Sequence, residues 1–286
     1  MNADWRNRYE TAIEAARLAG QLALRYFRQL EFPEPDQASA SAVQVEWKAN
    51  LSPVTIADRE AEHALRESLL SRFPRDGFWG EEFGEHSGYS GYRWIVDPID
   101  GTRNFLRGIP LWGTLVGLEY RGEMIAGVVA FPALGFVYRA LRGDGAFRDD
   151  HRLHVSAIST LEQGQIFYSG ASWFLGSDCR EAFIELCLRT QRQRGFGDCY
   201  GFVLVAQGAG EAMLDYGVHA WDVAALVPII EEAGGKFTDW SGQRTIHRPD
   251  VLASNGHVHD EILRLLQQHL PAHFRPETLC HVSRIT

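Results

Sequence analysis

At 286 residues, 45% hydrophobic and 23% charged, the chain has an ordinary globular composition and length for a large core, arranged as one α/β domain or two closely joined halves. A formal net charge of −9 without any run of Lys or Arg excludes a sequence-independent nucleic-acid binder, because counterion release needs clustered cations. No stretch approaches the ~18 uncharged residues of a bilayer span, and the start MNADWRNRYETAIEAARLAGQ lacks the apolar centre of a signal peptide, so no membrane or secretory segment is expected. Cys179, Cys187, Cys199 and Cys280 have no CxxC spacing and read as reduced thiols of a cytoplasmic protein.

In chain order, Trp5, Tyr9, Ala12, Ile13, Ala16, Ala23 and Phe27 fall at helical spacing and predict one long amphipathic helix over residues 4 to about 30. The segment 31–46 is polar and rich in Pro, Ala and Ser, the composition of a loop. SPVTIADREAEHALRESLLSRFP predicts an extended entry, then a helix that begins near Asp58 and stops at Pro74. The strands GFWG and YRWIV each end in acid, at Glu81-Glu82 and at Asp97, as ligand-binding strand ends in α/β sheets do. Residues 112–147 alternate hydrophobic runs with turn dipeptides, an antiparallel meander. Beyond residue 150 strands and helices alternate: GQIFYSG, a helix over 178–190, another over 199–207, EAMLDY, the helix WDVAALVPIIEEAGG, VLASN and a last helix over 257–269. This divides the chain into an α+β half, 1–148, with the acidic motifs, and an α/β half, 149–286. The tail from Pro271 to Thr286 has little periodicity.

The stretch WIVDPIDGTRN, residues 94–104, sets two carboxylates directly after an apolar strand. Burying Asp97 and Asp100 without compensation costs several kcal/mol each, so a cation between them is expected. Pro98 keeps a helix from starting until after the turn, which lets both side chains converge. An all-oxygen set without paired His or Cys suits Mg²⁺ rather than zinc. Gly101-Thr102 then opens a short helical turn whose free amides favour an anion, and the Thr102 hydroxyl can orient a water. Each part alone has an ordinary explanation: DPxDG as a turn, GEEFGEHSG as a solvated acidic loop, and Asp58 or Asp222 as helix caps.

Taken together, GEEFG (80–84), WIVDPIDGTRNF (94–105), WDVAALVPIIEEAGG (221–235) and the upstream KANLSPVTIADREAE (48–62) resemble the inositol monophosphatase family over roughly residues 5–270. That family consists of magnesium-dependent, lithium-sensitive phosphomonoesterases. The resemblance implies a layered αβαβα sandwich within the α/β class. It implies metal ligands at Glu81, Asp97, the Ile99 carbonyl, Asp100 and Asp222, with phosphate held by the amides of Gly101 and Thr102. Two or three Mg²⁺ per site, replaceable by Mn²⁺, are implied, in an in-line displacement that uses clustered metals. Thr102, hydrogen-bonded to Asp58 and aided by Glu81, would activate the attacking water, and Lys48 would lie beside the site. A homodimer is expected as well.

GDCYGFVLVAQG (197–208) looks more like the histidinol-phosphate phosphatase branch, and Asp198 and Asp215 supply acids for a cationic leaving group. Arg103 fits the basic residue of that branch. LDYGVHAWD (214–222) and Asn104 look more like the inositol branch, which makes inositol 1-phosphate the alternative substrate. A bisphosphate substrate would need a second basic pocket, for which Arg103, Arg107 and Arg194 are the candidates. A reading from another class, a non-catalytic regulatory protein, has against it the presence of every motif acid.

Overall fold

The computed structural model describes residues 2–31, 45–47, 53–176 and 178–269. Lys48, nearly all of the expected 31–46 loop and the 271–286 tail lie outside them. The chain forms two compact units, residues 1–152 with 198–200 and 221–232, and residues 153–197, 201–220 and 233–286. Asp198 and Asp222, which a division at residue 148 leaves in the second half, belong to the first unit.

In the first unit, helices α1 (Ala3–Glu31) and α2 (Ile56–Arg72) accompany a two-stranded ribbon of β1 (Val45–Trp47) and β2 (Pro53–Thr55). An eight-stranded sheet contains β3 (Gly77–Gly80), β4 (Gly84–His86), β5 (Tyr92–Asp100), β6 (Gly113–Tyr120), β7 (Glu123–Phe131), β8 (Phe136–Leu141), β9 (Gly145–Arg148) and β10 (His151–Arg152). The sheet order is β10-β9-β8-β7-β6-β5-β3-β4, so β6 to β9 form the antiparallel meander expected from the turn dipeptides, β5 and β10 extend it at either end, and β3 runs parallel to β5. A short helix α3 (Thr102–Leu106) follows β5.

The first face of this sheet is covered by α1 and α2. Tyr9, Ala12, Ala16, Ala19, Ala23 and Phe27 form one buried stripe of α1, and small alanines let the helix lie close to the strands. They share a core with Trp94, Val96, Val116, Leu118 and Val128. Because strand side chains alternate, the neighbouring row Ile95–Gly117–Gly127 faces the opposite side. There the Cβ that Gly127 lacks would stand 1.9 Å from the Ala225 carbonyl oxygen, and that of Gly117 would stand 2.9 Å from the Ala224 Cβ. Two paired glycines thus clear a slot in which the Ala224-Ala225 backbone lies directly on the sheet.

That backbone is the break in a helix the sequence predicts as continuous. WDVAALVPIIEEAGG forms α7 (Ala220–Val223) and α8 (Leu226–Glu232), separated at residues 224–225. Pro228 has no N–H to donate to the Ala224 carbonyl four residues back, so the ladder fails at that step.

The second unit holds a five-stranded sheet of β11 (Gln165–Tyr168), β12 (Arg192–Arg194), β13 (Ala212–Tyr216), β14 (Lys236–Thr238) and β15 (Asp250–Ser254), in the order β12-β11-β13-β15-β14. Phe174 of α4 (Ala171–Leu175), Phe183 and Leu186 of α5 (Arg180–Arg189), and Ile262 and Leu266 of α9 (His259–His269) pack with Ile166, Leu214 and Leu252 of the sheet. Of helix α6 (Asp198–Ala206), the residues from Gly201 on belong to this unit. No helix among the described residues is long and apolar enough to cross a membrane.

Candidate active site

The register of β3 and β5 decides where the first acids go. Gly80 pairs with Val96 in parallel, so the next residues, Glu81 just past the end of β3 and Asp97 still within β5, come side by side. Burial raises the Asp97 carboxyl well above the usual carboxylate range, and among nearby charges that of Glu81 contributes most, ahead of Asp100 and Asp222. The strand does not end at Asp97 as expected. It runs on to Asp100 through a register shift against β6, and the Asp97 carboxylate accepts the Ile99 N–H at 3.0 Å. This local irregularity, set by Pro98, returns Asp100 to the side of Asp97.

Asp222 arrives from α7. The slot over Gly117 and Gly127 fixes the chain three residues after it, and Trp221 packs edge-on against Trp79 of β3 with ring centroids 5.8 Å apart. One oxygen from each of Asp97, Asp100 and Asp222 lies within 4.8 Å of the others. Asp97 and Asp100 are 2% and 8% exposed, and among the described residues neither has a cation partner. Three like charges gathered in low dielectric, all offering oxygen, fit a hard divalent cation. The sequence-derived ligands Asp97, Asp100 and Asp222 are therefore brought together, with Glu81 electrostatically coupled to them.

Asp198 is a further carboxylate near the cluster. It begins α6 with a left-handed φ of 46°, a conformation uncommon outside glycine, Asn and Asp. Its Oδ2 accepts a hydrogen bond from Asn104 Nδ2 at 3.0 Å, while the same amide donates to the Leu111 carbonyl at 2.9 Å. Next to it, the Cys199 N–H donates to Asp100 Oδ2 at 2.6 Å. Burial pushes Asp198 up to about 6, Asp222 adds to this, and Arg103 opposes it. Burial also raises Asp100, with Asp198 the largest charge contribution.

Gly101 takes a φ of 86° at the start of α3, a left-handed turn suited to glycine, and the position of its missing Cβ is 3.2 Å from Asp198 Oδ2. The Thr102 hydroxyl donates to the Ile99 carbonyl at 3.0 Å rather than to Asp58. The reason is that Asp58 is used elsewhere: its Oδ2 accepts from the backbone N–H and the hydroxyl of Thr55, at 2.8 and 2.6 Å. Thr55, not Asp58, is the N-cap of α2, and Asp58 completes a capping box while burial pushes it up to about 7. The expected Thr102–Asp58 contact is thus replaced by two local ones.

Asp215 lies on β13 in the second unit, where its Oδ1 accepts from the Ser169 hydroxyl and the Tyr216 N–H. Lys48 lies outside the described residues. Two residues near the acids are not evident as site residues from sequence spacing. Asn104 tethers Asp198, and Glu62, fully buried on α2, accepts the backbone N–H groups of Glu82 and Phe83 at 2.7 and 2.9 Å. The signal for Glu62 was present: it stands four residues after Asp58, on the same helix stripe as Ala61, Leu65 and Leu69, where an acid has no solvent.

Comparison with known proteins agrees with this geometry. Residues 4–271 match the inositol monophosphatase family. A histidinol-phosphatase from Chlorobaculum parvum is 41% identical over 245 residues, covering 86% of this chain and 90% of its own. One from Mycobacterium tuberculosis is 41% identical over 229 residues, covering 78% and 88%. The crystal structure of the extragenic suppressor protein suhB from Bartonella henselae superposes with a TM-score of 0.82 at 31% identity, covering 91% of this chain and 98% of that one. A match over nearly the full length, with carboxylates of two separate segments, β5 and α7, converging beside Gly101-Thr102, leads to one conclusion: the chain belongs to the inositol monophosphatase family, a family of metal-dependent phosphatases.

Proposed function

We propose that the chain is a Mg²⁺-dependent phosphomonoesterase that hydrolyses histidinol phosphate to histidinol and phosphate. The observation that carries the reaction is the convergence of Asp97, Asp100 and Asp222 within 4.8 Å, two of them buried. In this reading Glu81, Asp97, the Ile99 carbonyl, Asp100 and Asp222 hold two or three Mg²⁺, and Mn²⁺ can substitute. When bound, divalent cations supply Lewis-acid charge that acidifies water and neutralises phosphoryl oxygens. The chain's own part is positional. The amides of Gly101 and Thr102 hold the phosphate, the Thr102 hydroxyl, fixed by the Ile99 carbonyl, orients the attacking water, and Glu81 accepts its proton. Asp58 supports the N-terminus of α2 rather than touching Thr102.

Asp198 supports this choice of substrate. Asn104 occupies one of its oxygens, and among the described residues the other has no hydrogen-bond partner, which suits the amine or imidazole of a cationic leaving group. Two histidinol-phosphatases at 41% identity support the same choice. Arg103, whose charge acts on Asp198, and Asp215 are the further substrate residues of this reading. The second reading, inositol 1-phosphate, is favoured by Asn104 and by the LDYGVHAWD segment. A cytoplasmic homodimer completes the proposal.

Phosphate release from histidinol phosphate, inositol 1-phosphate and fructose 1,6-bisphosphate, measured in parallel with Mg²⁺, tests it. The expected result is a kcat/KM for histidinol phosphate at least about tenfold above the others, the worth of one charge-assisted contact of ~1.4 kcal/mol or more. A preference for inositol 1-phosphate would overturn the substrate. Silence on all three would overturn the enzyme.

A further inference from the structure

We infer that Glu62 is a positioning residue for the metal site: its buried carboxylate clamps the turn that carries Glu81 and so sets the affinity of the site for divalent cations. The inference rests on the reading of Glu81 as a metal ligand.

Glu81, Glu82 and Phe83 form the three-residue connection between β3 and β4, whose register closes at Gly80 and Gly84. A connection this short has few backbone partners of its own. Glu62 supplies them from beneath. Its Oε2 accepts the Glu82 N–H at 2.7 Å and its Oε1 the Phe83 N–H at 2.9 Å. The first N–H belongs to the peptide that follows Glu81, so fixing it fixes ψ of Glu81 and with it the direction of that side chain. The second bond stops the turn from pivoting about the first.

The clamp is built into the sequence on both sides. Glu62 is 0% exposed, and among the described residues no cation pairs with it. A buried acid that only filled space would be replaced without loss by Leu or Met, since a desolvated carboxylate costs stability unless donors compensate it. Both of its oxygens here are spent on the Glu81 turn. Gly80 provides the clearance: a Cβ at that position would stand 2.0 Å from Glu62 Oε1 and 2.3 Å from its Cδ. Gly80, the first glycine of GEEFG, is thus required by the acid on α2, eighteen residues earlier, rather than by its own backbone angle.

The test compares Glu62→Gln, Gly80→Ala and Glu81→Gln with the wild-type chain. Gln keeps the shape of Glu62 but offers one NH₂ where an N–H must be received, so a single bond survives. Gly80→Ala disturbs the same clamp from the opposite side and leaves the acid in place. Two readouts are taken: the Mg²⁺ concentration for half-maximal hydrolysis against kcat at saturating Mg²⁺, and the rise in Tm produced by Mn²⁺ alone, which needs no turnover. For Glu62→Gln and Gly80→Ala the half-activating concentration is expected to rise about 10–100-fold, as for outer partners of metal ligands, with kcat largely recovered at saturating metal and the Mn²⁺-induced shift reduced. A purely structural acid would lower Tm equally with and without metal and leave half-activation unchanged. That result, in either folded variant, overturns the inference. Glu81→Gln separates the two levels: if it too leaves half-activation and the Mn²⁺ shift unchanged, the ligand reading fails. If it alone changes them, only the role of Glu62 fails.

Discussion

Asp100→Asn is expected to reduce phosphate-ester hydrolysis by on the order of a thousandfold or more, while the metal-free protein becomes more heat-stable than the wild type. The two effects have one cause. Asp100 is 8% exposed and shares its surroundings with Asp97, Asp198 and Asp222, so without a cation its charge opposes folding. Asn retains an oxygen to accept the Cys199 N–H, which in the wild type reaches Asp100 Oδ2 at 2.6 Å, and the local fold is kept. Relief of ~1–2 kcal/mol of repulsion corresponds to a Tm increase of about 2–8 °C in a chelator. The pH dependence has a definite sign. Asp97, Asp100, Asp198 and Asp58 all have carboxyls raised in the folded state, Asp198 to about 6 and Asp58 to about 7. A raised folded pKa gives stability that is fully present below the unfolded value near 4 and is lost as pH rises through the folded value. The metal-free wild type therefore loses stability between about pH 4 and 7, and Asp100→Asn flattens that slope. Thermal melts in chelator across this range, with phosphate release at saturating Mg²⁺, check both halves. Retained hydrolysis, or a metal-free Tm below wild type, contradicts the assignment.

Gly127→Ala is expected to be strongly destabilising. Its Cβ would stand 1.9 Å from the Ala225 carbonyl oxygen and 2.7 Å from the Ala225 carbonyl carbon. Main chain cannot rotate away as a side chain does, so the α7–α8 segment must shift as a body, at a cost of about 3 kcal/mol or more. Asp222 sits three residues before that contact and moves with it. Gly117→Ala meets the Ala224 methyl at 2.9 Å and main chain at 3.0 Å, a milder overlap. The expected order of both Tm loss and weakened Mg²⁺ activation is Gly127→Ala, then Gly117→Ala, then wild type. Denaturant melts and metal titrations of the two variants check it, and a Gly127→Ala protein as stable as wild type would contradict the slot.

Much of this arrangement was legible before any coordinates. The meander, the long N-terminal helix and the delivery of Glu81 and Asp97 by neighbouring strands follow from periodicity and from acids placed after apolar runs, although β5 continues past Asp97 to Asp100. The break between α7 and α8 was also written in the chain, since Pro228 forbids one specific hydrogen bond, but an apolar run of that length reads as a single helix. The strands β4, β12 and β14 carry three residues each, too few to display alternation. What could not be read were contacts between distant segments. Gly117 and Gly127 look like weak points of two strands until Ala224-Ala225 is seen against them. That Thr55 and Ile99 take up Asp58 and Thr102 depends on side-chain geometry that residue spacing does not encode. Asn104 holds an acid 94 residues away, a pairing that spacing does not encode.

Anomalous diffraction from crystals soaked in Mn²⁺ tests the central claim most directly, that carboxylates from three separate segments enclose divalent cations. The predicted result is anomalous peaks within about 2.0–2.4 Å of oxygens of Asp97, Asp100 and Asp222, with Glu81 turned toward one of them. Well-ordered side chains that diverge, with no peak among them, would contradict it.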